Sequence, residues 1–201
     1  MTTSSRRGRD PVLQAIAEVF RRHGYEGASL SRLTAATGLG KGSLYNFFPH
    51  GKEQMAAEVL AHIQRWFEAE IFVPLKETED PWAGIERMFW STEQYFQSGQ
   101  RICLMGLMAL DDETPFGTQI QAYFSDWQAA LASAIHKSGK PQEEATDLAE
   151  EIVSAIQGAL VLAHAQSDAG IFLRRMQSFR RRLAFPCGEL QSETPDCLQG
   201  R

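Results

Sequence analysis

Gly38-Leu39-Gly40-Lys41-Gly42-Ser43-Leu44-Tyr45-Asn46-Phe47-Phe48-Pro49-His50-Gly51-Lys52-Glu53 is the stretch on which the fold turns. A helical pattern ahead of it stops at Gly38. A very short helix restarts near Lys41 and carries Lys41, Ser43, Tyr45 and Asn46. Pro49-His50-Gly51 ends it, and a long amphipathic pattern opens at Lys52-Glu53. Two short helices joined by a tight glycine turn read as a helix-turn-helix. In that motif the second helix lies in the major groove of DNA.

Toward the N-terminus, Asp10-Pro11 predicts a helix start: Asp offers an N-cap acceptor, and Pro at the first helical position has no N–H to leave unpaired. Leu13, Ile16, Ala17 and Phe20 recur at helical spacing as its buried face, and Gly24 ends it. Ser29 is the next N-cap, with Leu30, Leu33 and Ala36 lining a short second helix. Residues 1–9 are then a basic arm. Its Arg6, Arg7 and Arg9 either enter a minor groove or serve as a solubilising tail.

Toward the C-terminus the pattern is helical for some twenty residues to Phe72, with Met55, Val59, Ile63, Trp66 and Ile71 on its apolar stripe. Pro74 and the Lys76–Asp80 stretch read as a loop. Helices follow over Trp82 to about Gln97, Ile102 to Leu110, Phe116 to about Lys137, Gln142 to about Ser167, and Gly170 to Phe185. Residues 186–201 contain Pro, Gly and Ser and little that packs, so a disordered tail is expected. No stretch reads as a strand. The expected fold is all-α, about nine helices, with a three-helix module joined by a long helix to a larger bundle.

Charge is unevenly placed. The chain carries −5 overall, yet residues 1–55 hold eight Lys/Arg against four Asp/Glu, a net +4 that leaves −9 for the remainder. A basic first quarter on an acidic body suits one DNA-facing module. The three cysteines, Cys103, Cys187 and Cys197, form no Cys-x-x-Cys, which fits a reducing cytosol. The N-terminus has no apolar signal core, and the longest apolar run, Ile102–Leu110, is nine residues. A membrane span needs about twenty, so a soluble cytoplasmic protein is expected.

The order Phe20-Arg21-Arg22-His23-Gly24-Tyr25, Ser29, Gly38, Lys41-Gly42-Ser43-Leu44-Tyr45-Asn46-Phe47-Phe48, Lys52-Glu53 resembles the TetR family of transcriptional repressors in type, order and spacing. The resemblance covers residues from about 10 to 60. Beyond about residue 75 it is one of helical architecture only. Thr37 stands where alanine is common, and Gly40 where a small polar residue often precedes the lysine. The Pro49-His50-Gly51 turn is similar to a subgroup with a Phe-Pro-x-Gly-Lys-Glu turn, which includes regulators of multidrug-resistance genes. Asn46 and Phe47 replace residues that are often aromatic or His, so no base preference carries over.

The resemblance implies a homodimer on a palindromic double-stranded operator, released by a small, largely apolar effector. Residues 1–51 would be the DNA-binding domain and residues 52–185 the ligand-binding and dimerisation domain. Tyr45 and Lys52 would contact phosphate, a phenol donor and a point charge at a helix N-terminus. Lys41 reaches a phosphate or a guanine edge. Ser29, Gly40, Gly42, Ser43 and Asn46 complete the DNA-facing set, with Gly42 permitting close backbone approach.

In the body, Trp66, Met88, Phe89, Cys103, Met108, Tyr123 and Trp127 are ligand-pocket candidates, with Gln157 and His164 as polar partners. The plain alternative for each is core packing. Cys103 is either an inert small hydrophobe or a redox-active thiol whose pKa Arg101 lowers. Phe172, Met176, Phe179 and Leu183, spaced four, three and four apart, form a helix-packing seam. With Ile152, Ala155 and Ala159 of the preceding helix they are the dimer candidates. Arg174, Arg175 and Arg180–Arg182 then flank that interface or form a solvated face.

Asp111, Asp112 and Glu113 are adjacent acids that point in different directions, so a solvated turn is expected rather than a metal site. No catalytic or cofactor motif stands out. The rival reading is an all-α small-molecule-binding protein or enzyme with a vestigial helix-turn-helix. The missing catalytic constellation and the basic first quarter weigh against it.

Overall fold

The computed structural model describes residues 3–111 and 114–184. Asp112, Glu113, the expected tail with Cys187 and Cys197, and the side chains of Arg6 and Arg7 lie outside the described residues. Among the described residues every regular element is helical.

The N-terminal module is α1 (Thr3–Gly27), α2 (Leu30–Thr37) and α3 (Lys41–Phe47). α1 does not begin at Asp10-Pro11 as expected. It runs from Thr3 with Pro11 inside it, and its helical path breaks at Gly24, where φ is 69°. The local start signal is overridden by a tertiary contact: Arg9 is held by Glu58 and by the Phe47 carbonyl, which fixes the preceding turn against the fold. The basic-arm reading therefore does not extend to Arg9. Leu13, Ile16, Phe20, Leu33, Leu44 and Phe48 are buried together and make the module's core.

α4 (Gly51–Phe67) packs along α1 and leaves the module. It does not end before Pro74. A π-helical turn over Glu68–Phe72 carries it into α5 (Val73–Glu77), so the expected loop at Pro74–Glu77 is helical. Pro74 has no N–H to give the preceding turn, and the chain passes that missing bond directly after the π-helical turn. The rod of α4, the π turn and α5 packs on α1 at one end and on α6 and α8 at the other.

The bundle comprises α6 (Pro81–Tyr95), α7 (Leu104–Met108), α8 (Gly117–Lys137), α9 (Gln142–Gln166) and α10 (Gly170–Ala184). α9 packs between α8 and α10. By length and composition alone α9 resembles a membrane span, with a mean hydropathy of 1.3 over its best window, yet its inner face is buried against those two neighbours. α7 is shorter than expected, and Leu110 beyond it is 81% exposed. Between α6 and α7 lies a tight 3₁₀ turn in which Gln97, Ser98 and Gly99 all take left-handed φ (50°, 55° and 94°). Counting the α4–α5 rod once, the described residues form nine helical rods.

Candidate nucleic-acid interface and ligand-domain sites

The helix-turn-helix is built by local chemistry. Ser29 caps α2, its Oγ accepting the Arg32 N–H at 3.4 Å. Gly38 closes α2 in a left-handed conformation, φ 68°, its N–H donating to the Thr34 carbonyl at 3.0 Å. Thr37 donates from its hydroxyl to the Leu33 carbonyl at 2.8 Å and accepts the Leu39 N–H at 3.3 Å. Its departure from the family's usual alanine thus adds a bridge across the turn.

α3 is seven residues, too short to persist alone. Leu44 and Phe48 beneath it are fully buried and hold it in place. That burial turns Lys41, Gly42, Ser43, Tyr45 and Asn46 to solvent on the opposite face, with Tyr45 41% exposed. Nothing lies within 4 Å of a Cβ built on Gly40 or Gly42, so no neighbour inside the protomer demands glycine at either position. Lys41 makes no ion pair among the described residues.

Lys52 is placed less freely. Its ammonium lies 4.3 Å from the Tyr25 ring centroid and 3.4 Å from Glu26 Oε2. A phosphate at this helix start would have to displace Glu26, whose side chain is 82% exposed and free to move. The Tyr25 ring in turn meets Phe116, the residue before α8, with centroids 5.8 Å apart, so the module's turn touches the bundle.

Most of the expected pocket residues in the body sit in packed core. Met88, Phe89, Tyr123 and Trp127 are fully buried, and Cys103 and Met108 are 4% exposed. Phe67 stands at the centre, with Tyr95, Tyr123 and Trp127 rings at 4.9, 4.9 and 5.2 Å. Aromatic rings at these separations fill the space a ligand would take. Gln157 is half-buried, lying over Gly106, and His164 is exposed in the last turn of α9. Trp127 Nε1 and Gln157 Nε2 are buried without a partner among the described residues. Cys103 caps α7, its Sγ accepting the Gly106 N–H at 3.4 Å. Burial pushes its thiol up, away from the thiolate that redox chemistry needs. Arg101 turns to Glu18 instead.

Of the nine pocket candidates, Trp66 lines a cavity among the described residues. That space, about 300 Å³, lies between α1, α4 and α6 rather than inside the bundle. Glu18, Arg21, Tyr95 and Arg101 line it too. None of the four was visible from the sequence as a site residue, because they come from two parts of the chain more than seventy positions apart. The one local signal was the Glu18/Arg21 spacing of three.

The seven dimer candidates divide: Ala155, Ala159 and Phe179 line the outward side of α9 and α10, and the others point into the protomer. Ile152, Phe172 and Met176 are fully buried, and Phe179 and Leu183 nearly so, inside the protomer. Phe172 packs on Phe96 and against Gly99. The seam's periodicity was right about burial, and the surface it packs on is the chain's own. What α9 and α10 leave outward is a groove of about 590 Å³ along Ala155, Gly158, Ala159 and Leu162, faced by Ile171, Arg174, Arg175 and Ser178, with Phe179 at its floor. Val161 and Leu162 beside it are 54% and 50% exposed. Arg182 is held by Glu151 in a two-pronged pair, and Arg180 by Glu86 and Glu93.

A helix-turn-helix module mounted by a shared rod on a helical bundle defines a class, the DNA-binding transcriptional regulators. Two family profiles match: "Bacterial regulatory proteins, tetR family" over residues 12–59, and "Transcriptional regulator LmrA/YxaF-like, C-terminal domain" over residues 81–177. The HTH-type transcriptional regulator YxaF of Bacillus subtilis is 30% identical over 171 residues, 83% of this chain and 90% of that protein. The HTH-type transcriptional regulator LmrA of the same organism is 24% identical over 160 residues, covering 77% and 85%. In fold, a TetR transcriptional regulator from Legionella pneumophila superposes with a TM-score of 0.75 at 21% identity, over 87% of this chain and 95% of that one. The chain belongs to the TetR family of transcriptional regulators. Its relatives are regulators and not enzymes.

Proposed function

We propose that this regulator is a cytoplasmic homodimeric repressor, released from a palindromic operator by a small, largely apolar effector. The observation that carries the reading is α3, where buried Leu44 and Phe48 present Lys41, Gly42, Ser43, Tyr45 and Asn46 outward as one face. Ser29 and Gly40 flank that face, and Lys52 at the start of α4 adds a charge beside it. Residues 1–51 act as the DNA-binding domain and 52–185 as the ligand and dimer domain. The outward groove of α9 and α10 takes a second copy, small residues giving close approach and Leu162 and Ile171 the apolar contact. Two recognition helices then enter successive major grooves about 34–36 Å apart, or a multiple of that.

An effector acts by binding one spacing of the two modules better than the other. The rod of α4, the π turn and α5 is the lever, since it packs in both halves. The test is fluorescence anisotropy of the protein on its own upstream DNA against a scrambled duplex at fixed salt. A preference of about 10³-fold or more supports the reading. Equal, weak and salt-sensitive binding to both duplexes overturns operator recognition at that locus.

A further inference from the structure

Two arginines from opposite sides of the domain boundary converge on one carboxylate oxygen. Arg21 in α1 donates from Nη1 to Glu18 Oε1 at 2.8 Å, and Arg101, ahead of α7, reaches the same oxygen with Nη2 at 3.0 Å. Tyr95 takes one bond from each: its hydroxyl accepts from Arg21 Nη2 at 3.1 Å and its carbonyl from Arg101 Nη1 at 3.2 Å. The Nε of both guanidiniums is buried with no acceptor among the described residues. The Arg21 side chain is only 7% exposed and that of Arg101 26%.

A guanidinium cannot shed its charge and carries five donors that ask for acceptors. One shared, half-exposed carboxylate leaves the pair with a net positive charge in a partly enclosed place. Both arginines line the cavity of about 300 Å³ between α1, α4 and α6, whose other walls include Ala17, Val59, Ile63 and Trp66. The cavity thus has a cationic corner, polar walls from Gln14, His62 and Gln94, and an apolar side with an indole.

We propose that this interdomain cavity binds an organic carboxylate with a flat apolar body, an aromatic acid of one or two rings. Its carboxylate is taken by Arg21 and Arg101, displacing Glu18, and its rings lie against Trp66 and Ile63. Arg21 belongs to the DNA-binding module and Arg101 to the bundle, so a bound acid replaces an internal bond between the two halves with one that runs through the ligand. The regulatory consequence rests on the repressor reading above. The binding itself does not.

The test is calorimetry on the full chain without DNA, with 2-naphthoate as probe and 2-naphthamide as its neutral counterpart. Saturable binding of the acid, at least tenfold tighter than the amide, is expected. Arg101→Gln should weaken it at least tenfold. Glu18→Gln, which removes the competing carboxylate, should tighten it several-fold, and a gain of affinity cannot come from misfolding. Arg87→Gln, a surface arginine paired with Glu70, should bind as the parent does. No saturable heat to about 5 mM, equal affinity for acid and amide, or a Glu18→Gln variant that binds no tighter overturns the site. Because no operator is present, failure here is distinguishable from failure to bind DNA.

Discussion

Arg9 and Glu58, 49 positions apart, meet in a two-pronged ion pair: Nε donates to Oε2 at 2.8 Å and Nη2 to Oε1 at 2.6 Å. The same Nη2 donates to the Phe47 carbonyl at 2.9 Å, and the guanidinium stands 4.8 Å from the Phe48 ring centroid. One side chain therefore joins the first turns of α1, the end of α3 and the middle of α4. It orients the recognition helix without being part of it. Arg9→Ala should cost about 1–2 kcal/mol, since both partners keep some solvent contact, or about 3–6 °C in melting temperature. Arg9→Lys should recover only part, because an ammonium cannot make the fork. Calorimetric melting checks both, and an unchanged melting temperature in Arg9→Ala would show that the pair is a surface ornament.

Lys41 has no ion-pair partner among the described residues, so its removal should be silent for folding and costly for DNA. Lys41→Ala should keep its helical circular dichroism and lose about tenfold in operator affinity. The slope of log affinity against log salt should fall by about one per protomer, as expected when one phosphate contact disappears. Anisotropy across a salt series decides it; an unchanged slope removes Lys41 from the phosphate contacts.

Leu162 is half exposed beside the outward groove of α9 and α10. Leu162→Glu should leave the protomer folded and place two like charges in the proposed interface. Sedimentation velocity should show the dimer giving way to monomer at micromolar concentration. A mass that stays dimeric puts the interface on another face.

Gly99 is held at φ 94°, and a Cβ there would sit 2.7 Å from Phe172 Cβ and 3.1 Å from the Ala169 carbonyl oxygen. Gly99→Ala should destabilise by about 1–3 kcal/mol or more, since both the backbone conformation and the space forbid it. Gly117→Ala, where a Cβ meets nothing within 4 Å, is the matched control and should lie within about 0.5 kcal/mol of the parent. Urea midpoints compare them; equal midpoints would mean that the turn relaxes.

Burial pushes the Tyr95 phenol up from 10.0 to about 12, with Arg21 pulling the other way. The folded state therefore holds this proton more tightly than the unfolded chain. Its stabilising share is complete below pH 10 and is lost as pH rises from 10 toward 12. Tyr95→Phe should flatten the alkaline fall in denaturant midpoint over that window. The Tyr123 phenol, raised by its own burial, keeps part of the slope. A variant with the parent's full slope would contradict the assignment.

The helix-turn-helix was legible because its signals are local. Ser29 caps α2, Gly38 takes the left-handed turn that glycine tolerates best, and Pro49-His50-Gly51 ends α3 within a few residues of chain. Helical spacing also marked Leu33 as lining α2, and the fold buries it with Leu44 and Phe48. The same reasoning failed at Asp10-Pro11, a local start signal, and at Pro74, a local stop signal, where both lost to packing. At Pro11 the Arg9 anchor extends the helix, and at Pro74 the rod continues through a π turn.

By itself the sequence determined the all-α class, the recognition helix and the residues that face away from its core, because caps, turns and period are properties of short segments. The tertiary structure alone decided what each buried face packs against. Phe172, Met176, Phe179 and Leu183 announce a buried stripe, and only the fold shows that it packs on the chain's own bundle. Likewise Trp127 and Tyr123 read as pocket or core until their rings are seen to fill one another, and Arg21 and Arg101 give no signal until folding brings them to one oxygen of Glu18. In all three a residue's type is local information, but its partner is set by which distant surfaces close on it.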